Sequence, residues 1–185
     1  MKNKYIICGA SRAGKSILSE RLSRQQNVNW ILGDALVSSF QDVFPERGIS
    51  HHGDLNVIGD SFEEFIKYLL WNYNYAKVGY VFDSTHLYPH NIINMRKKMG
   101  EIPAVFLGYS NVSPEEKLTD IRHYDPSENW WTRDLSDDEL LRLINTQIEK
   151  SKYLEMECNK FKLPFIDVSK NFDEALDQAF EILNE

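Results

Sequence analysis

The chain has 185 residues, 42% of them hydrophobic and 26% charged, with a formal net charge of −7. That length suits one domain with a full core, and the balance of residue types excludes long disordered tracts. The acidic charge disfavours a broad grip on extended nucleic acid, whose phosphate backbone is held by clustered Lys and Arg. There is no charged-then-apolar leader and no apolar run of membrane-spanning length, so a cytoplasmic location is expected. Cys8 and Cys158 lie far apart in sequence and are expected to be buried or incidental thiols, not a disulfide framework or a zinc site.

Residues 5–8 form an apolar run that predicts a first strand, and it leads directly into Gly9, Ala10, Ser11, Arg12, Ala13, Gly14, Lys15 and Ser16. This octet fits G-x-x-x-x-G-K-[ST], and the helical pattern that follows through Leu18 and Leu22 completes the strand, loop and helix order that the motif needs. Glycines at both ends let the backbone turn its N–H groups inward, forming with the helix N-terminus a concave site for phosphate oxygens. Lys15 supplies a point charge to the outer phosphates, and the Ser16 hydroxyl is a candidate magnesium ligand.

Residues 28–32 read as a second strand ending at Gly33-Asp34. A carboxylate just past the C-terminal end of a strand faces the crevice where open α/β sheets bind ligands, so Asp34 is a candidate to orient or deprotonate an acceptor hydroxyl. Equally, Asp34 is a candidate N-cap for a helix beginning at Ala35. Residues 45–56, with His51 and His52, read as a loop and not as a metal site, because adjacent histidines point in different directions. Ser61 with Glu64 predicts a capping box for the next helix, whose apolar stripe runs through Phe62, Phe65, Ile66, Leu69, Leu70 and Tyr73. Trp71 and Tyr75 are read either as core or as lining for an acceptor pocket.

Residues 78–83 form a hydrophobic strand that ends in Asp83. A buried strand delivering one carboxylate to the magnesium and phosphate region is the second element of nucleotide sites of this kind, and Asp83 is the second candidate metal ligand. Thr85 and His86 follow, as candidate acceptor contacts or, for Thr85, a cap; Pro89 opens a helix. Arg96-Lys97-Lys98 is the one tight basic cluster, read as a solvated helix face with Arg96 a candidate for an acceptor phosphate. Residues 103–109 predict a fourth strand.

Ser113 and Pro114 start a further helix that passes into a polar, weakly periodic segment, and residues 112–135 are expected to form a small mobile lid. Arg122 and Arg133 lie in it, as candidates to neutralise charge on a transferring phosphoryl group or as partners for Asp120, Asp125 or Asp134. Ser136 caps a long helix through Ile144, Ile148 and Leu154, residues 163–168 predict a fifth strand, and a final helix runs over 173–183. The turn at 169–171 is a candidate for backbone contacts to a nucleotide base. Strands alternating with helices throughout predict a three-layer α/β fold with a five-stranded parallel sheet.

With Gly9 to Ser16, the strand-end Asp83 and an arginine-bearing stretch before the penultimate helix in place, the chain resembles P-loop kinases of the adenylate-kinase-like superfamily over nearly its full length. The run Phe82-Asp83-Ser84-Thr85-His86-Leu87-Tyr88-Pro89 is also similar to that of polynucleotide-kinase-like phosphotransferases. The resemblance implies ATP and magnesium as cofactors, Asp34 as the group activating the acceptor hydroxyl, and Arg122 and Arg133 as lid arginines on the transferred phosphoryl. The glycine-rich, arginine-containing turn of nucleoside monophosphate kinases after the third strand is missing, and so are D-x-x-G and N-K-x-D guanine signatures. The chain is therefore read as an ATP- and magnesium-dependent phosphotransferase acting on a hydroxyl or phosphate of a small molecule, with nucleosides and nucleotides among the candidates. Two rivals stand beside this: a kinase of nucleic-acid 5′ ends, and an ATP-binding sensor without efficient transfer, for which Trp130 and Trp131 would offer a partner contact.

Overall fold

In the computed structural model, which describes residues 3–53, 55–124 and 130–185, the elements follow the predicted order. They are β1 (Lys4–Gly9), α1 (Lys15–Gln26), β2 (Asn29–Leu32), α2 (Gly33–Val43), α3 (Leu55–Tyr75), β3 (Tyr80–Ser84), α4 (Pro89–Met99), β4 (Ala104–Gly108), α5 (Pro114–Tyr124), α6 (Trp130–Arg133), α7 (Asp137–Phe161), β5 (Phe165–Asp167) and α8 (Phe172–Asn184). The five strands pair in the order β2-β3-β1-β4-β5, every pair parallel. Parallel sheets need cover on both faces, and the strand residues supply it by alternation. Tyr5, Ile7, Val81, Val105 and Leu107 face Leu18, Leu22, Leu176 and Ala179 of α1 and α8. Ile6, Cys8, Phe82, Ala104 and Phe106 face Phe62, Ile66, Ile92 and Met95 of α3 and α4.

Helix α7 serves both faces. Leu140, Ile144 and Ile148 join the first cluster, whereas Leu154 and Cys158 join the second. At 25 residues it extends about 37 Å at 1.5 Å per residue, long enough to leave one face and reach the other. Ser136 caps it and Glu139 returns the bond to the Ser136 amide, a capping box of the expected kind.

Three local expectations change. Helix α3 begins at Leu55, so Ser61 and Glu64 lie inside it and form no cap; Ile58, Phe62, Ile66 and Leu70, all buried at four-residue spacing, carry the apolar stripe one turn further toward the N-terminus. Helix α2 begins at Gly33 with Leu32 at its N-cap and no side-chain cap bond. Asp34 is therefore in the first turn, where the helix dipole favours it, and is not the cap. Likewise Tyr88, not Thr85, is the N-cap of α4. Cys8 and Cys158 are buried free thiols. Among the described residues, no helix is long and apolar enough to cross a membrane.

Candidate active site

β1 lies at the centre of the sheet with β3 on one side and β4 on the other, so the chain reverses its winding direction at the C-terminal end of β1. Ligand crevices of open α/β sheets form at that point, and the loop from Gly9 to Ser16 occupies it. Gly9 has φ +141°, and a Cβ there would stand 1.9 Å from the Leu107 carbonyl oxygen; only glycine lets the loop leave β1 against β4. Ala10 donates its N–H to that same carbonyl at 2.9 Å, and Ala10 and Ala13 are fully buried. Gly14, at φ +88°, is the N-cap of α1. The Tyr109 hydroxyl donates to the Ser11 carbonyl, and the Ser11 N–H donates to Gln147 Oε1, both at 2.8 Å. Arg12, at φ +62°, donates to the hydroxyl of the fully buried Thr132.

Lys15 is buried, and its ammonium donates to the Ala10 carbonyl at 2.7 Å. Desolvation lowers its pKa, while the charges of Asp34 and Asp83 act in the opposite sense. Ser16 is exposed beside it. Asp83, buried near the end of β3, accepts a hydrogen bond from Trp30 Nε1 at 3.0 Å. Burial pushes the Asp83 carboxyl above its ordinary range against the opposing effects of Trp30 and Lys15. The hard oxygen donors of Ser16 and Asp83 suit magnesium, which completes its shell with phosphate oxygens and water. The residues present thus fit the group that the loop implies. Among the described residues no three His, Cys, Asp or Glu side chains converge to hold a metal ion on their own.

On the other side of Lys15, Asp34 stands at the start of α2. Gly33 makes this possible, because a Cβ there would lie 2.3 Å from the Asp83 carbonyl oxygen, so the two strand ends close up only around glycine. Asp34 Oδ1 is 3.5 Å from Nδ1 of the buried His86. Partial desolvation pushes the Asp34 carboxyl up, but His86, Lys15 and His51 outweigh it and hold the group at about 2. Its side chain nevertheless keeps 60% of its surface open, so solvent screens these interactions and the direction matters more than the size. The loop after α2 returns here: the His51 ring lies 5.3 Å from that of His86, and His51 Nε2 is 2.8 Å from the Ser38 hydroxyl.

Other candidates lie elsewhere. Arg122 donates to Asp137 and to the carbonyls of Thr132 and Leu135, holding the start of α7 to α5 and α6. Arg133 is exposed in α6. Residues 125–129 of the expected lid, Asp125 included, lie outside the described residues, as do the side chains of Trp130 and Trp131. Arg96 bonds the Ile102 carbonyl and Glu101, at the strand-entry end of the sheet opposite the glycine loop. Trp71 and Tyr75 stack on each other on the exposed side of the last turns of α3, with Lys98 over the Trp71 ring. A hollow of about 400 Å³ lined by Asn29, Asn72, Tyr73, Ala76 and Val78 also lies at the strand-entry end, where no loop amides or converging charges accompany it.

Three residues of the site carried no motif. Trp30 is reached only through pairing of β2 with β3, and Gln147 and Lys150 only because α7 crosses the strand ends. Lys150 is buried, and its ammonium donates to the Thr85 carbonyl at 2.6 Å. Burial and the Lys15 charge bring it down to about 7, against Asp34 and Cys8.

No protein-family profile matches the chain, and no curated protein matches it in sequence. Solved structures do. A gluconokinase from Sinorhizobium meliloti 1021 superposes with TM-score 0.64 at 20% identity, covering 99% of this chain and 92% of that one. A shikimate kinase from Bacteroides thetaiotaomicron gives TM-score 0.58 at 19% identity, covering 99% of both chains. A sugar kinase from Janibacter sp. HTCC2649 gives TM-score 0.62 at 11% identity, covering 100% of this chain and 95% of that one. The chain shares the fold of these three kinases, a five-stranded parallel sheet flanked by helices.

Proposed function

We propose that this chain is an ATP- and magnesium-dependent phosphotransferase that moves the γ-phosphoryl of ATP to a hydroxyl of a small molecule. The observation that carries the reading is the gathering of Lys15, Asp83 and Asp34 at the C-terminal ends of β1, β3 and β2, close enough for Lys15 to feel both carboxylates. The solved kinases of like fold support it, since the acceptors in their names, gluconate, shikimate and sugars, are polyhydroxy compounds.

In this reading the amides of Arg12, Ala13, Gly14, Lys15 and Ser16 cradle the β- and γ-phosphates, those of Ala10 and Ser11 being given to Leu107 and Gln147, and Lys15 leaves the Ala10 carbonyl to meet them. Ser16 and Asp83 would hold a magnesium ion, which would supply neutralising charge to the phosphates. Asp34, ionised at any working pH, accepts the hydrogen bond of the acceptor hydroxyl and takes its proton as the oxygen–phosphorus bond forms and ADP departs. Phosphoryl transfer depends mainly on positioning and charge, so a weakly basic carboxylate suffices. His86 Nδ1, 3.5 Å from Asp34 Oδ1, flanks that carboxylate. Arg122 anchors a lid over residues 112–135 of the one-domain chain, and Arg133 is the arginine presented to the transferring group.

The test incubates the full chain with γ-labelled ATP, magnesium and a panel of sugars, sugar acids, nucleosides, nucleotides and 5′-hydroxyl oligonucleotides, with Lys15→Ala in parallel. Label on one class of small hydroxyl compound, absent in the variant, is the expected result. Label on oligonucleotides alone, or tight ATP binding with no transfer to any acceptor, replaces this reading with the polynucleotide-kinase or sensor alternative.

A further inference from the structure

Helix α7 carries two buried polar side chains three residues apart to two different parts of the site. Gln147 Oε1 accepts a hydrogen bond from the Ser11 N–H of the phosphate loop, and Lys150 Nζ donates one to the Thr85 carbonyl just beyond β3. Moving from one to the other crosses from the nucleotide side to the side where Asp34, His86 and Tyr88 lie. Lys150 has an exposure of 8%, lies 5.3 Å from the centre of the Tyr88 ring, and has no carboxylate in ion-pair range among the described residues. One carbonyl satisfies one of the three donors of an ammonium group. A buried cation left with a carbonyl and an aromatic face is costly, and an arriving anion removes that cost. Lys15, a second cation here, feels the charges of both Asp34 and Asp83 and, in the proposed function, meets the nucleotide phosphates.

Resting on the phosphotransferase reading, we propose that Lys150 binds an anionic oxygen group of the acceptor, so that the substrate is a small hydroxy compound carrying a carboxylate or a phosphate beside its reacting hydroxyl. Asp34 takes the hydroxyl and Lys150 the anion, which fixes which hydroxyl faces the γ-phosphoryl. The position also gives specificity: a neutral polyol leaves the ammonium buried and unpaired, and sites of that kind reject the analogue that lacks the matching group.

The test compares matched sets of a neutral polyol, its carboxylic acid and its phosphate ester as acceptors for the wild type, Lys150→Met and Lys150→Arg. The expected result is a preference for one charged member by about 10²-fold or more in kcat/KM, collapsing at least tenfold in Lys150→Met and partly kept in Lys150→Arg; which charged member wins tells carboxylate from phosphate. A wild type that prefers the neutral polyol, or a Lys150→Met whose losses are equal for charged and neutral acceptors, overturns the proposal; the second result would put Lys150 on the transferring phosphoryl. Calorimetric binding of the same compounds, with magnesium and a non-hydrolysable ATP analogue present, separates this from failure of the phosphotransferase reading. Selective binding of the charged members that Lys150→Met abolishes supports the anion site even where nothing is phosphorylated. Binding indifferent to charge or to Lys150 overturns it.

Discussion

Trp30 Nε1 donates to Asp83 Oδ2 at 3.0 Å across two neighbouring strands. Trp30 is paired with Val81, so Asp83 is its diagonal neighbour two residues on along the same face. The indole steadies one oxygen of a buried carboxylate that the proposed magnesium site needs. Trp30→Phe keeps an aromatic ring, smaller than the indole, and removes the donor. It should weaken magnesium dependence of nucleotide binding or turnover by about 10-fold or more, the usual effect of losing a group that orients a metal ligand, with the circular dichroism spectrum unchanged. A magnesium titration that overlays the wild type would show that Asp83 needs no such support.

The second close approach is steric. Gly33 packs so tightly on β3 that an added Cβ would lie 2.3 Å from the Asp83 carbonyl oxygen and 3.0 Å from Ser84 Cβ. Gly33→Ala should part the ends of β2 and β3, costing about 1–3 kcal/mol in urea unfolding and lowering turnover by displacing Asp34 from Lys15. A loss below about 0.5 kcal/mol, the range of ordinary surface substitutions, would mean that the strand ends separate without consequence.

The two glycine contacts and the tryptophan clamp also mark how far the sequence was legible. Lys15, Ser16 and Asp83 could be put forward as candidates because each proposed role follows from residue type at a strand end or loop, which are local properties. The sheet was legible for the same reason: apolar runs alternate with helical stripes. Asp34 was only half legible, since cap and crevice both place an Asp after a strand, and the choice depends on a helix start that differs by two residues. Pairing of Asp34 with His86 depends on which strands are neighbours, which no local pattern states. Lys150 was hidden more deeply, as one more lysine in a charged helix. A signal existed in the length of α7, too long for one face of a five-stranded sheet, and in the apolar positions Ile144, Ile148, Leu154 and Cys158, whose spacing shifts where Gln147, Lys150 and Ser151 turn inward.

Arg122 and Arg133 should separate by readout. Arg122 supplies donors to the carbonyls of Thr132 and Leu135 and to Asp137, so Arg122→Ala leaves several acceptors without a partner and should cost about 1–3 kcal/mol of stability, seen in urea unfolding and as faster proteolysis between α5 and α7. Arg133, exposed in α6, should matter to chemistry: Arg133→Ala is expected to lower kcat about 10²–10³-fold, the scale of a lost charge-stabilising donor. If Arg133→Ala retains full kcat while Arg122→Ala loses it without losing stability, their roles are exchanged.

Lys150 makes stability depend on pH in a direction set by its burial. Its folded pKa is brought down to about 7, mainly by desolvation and then by Lys15, with Asp34 and Cys8 opposing, whereas the unfolded chain has the ordinary value of 10.5. Between those values the unfolded state binds more protons, so this group makes the fold more stable as pH rises from about 7 toward 10.5; below 7 both states are protonated and the full cost of the buried charge is present. Cys8, whose burial pushes its thiol upward, has the opposite trend in the alkaline range, so the measurement must be a difference. Lys150→Met should be more stable than wild type at pH 7, and the gap should shrink by roughly 1–2 kcal/mol by pH 8.5 in guanidinium unfolding. A gap that stays constant across that range would mean the ammonium remains charged in the folded protein, held by a partner that makes its burial inexpensive.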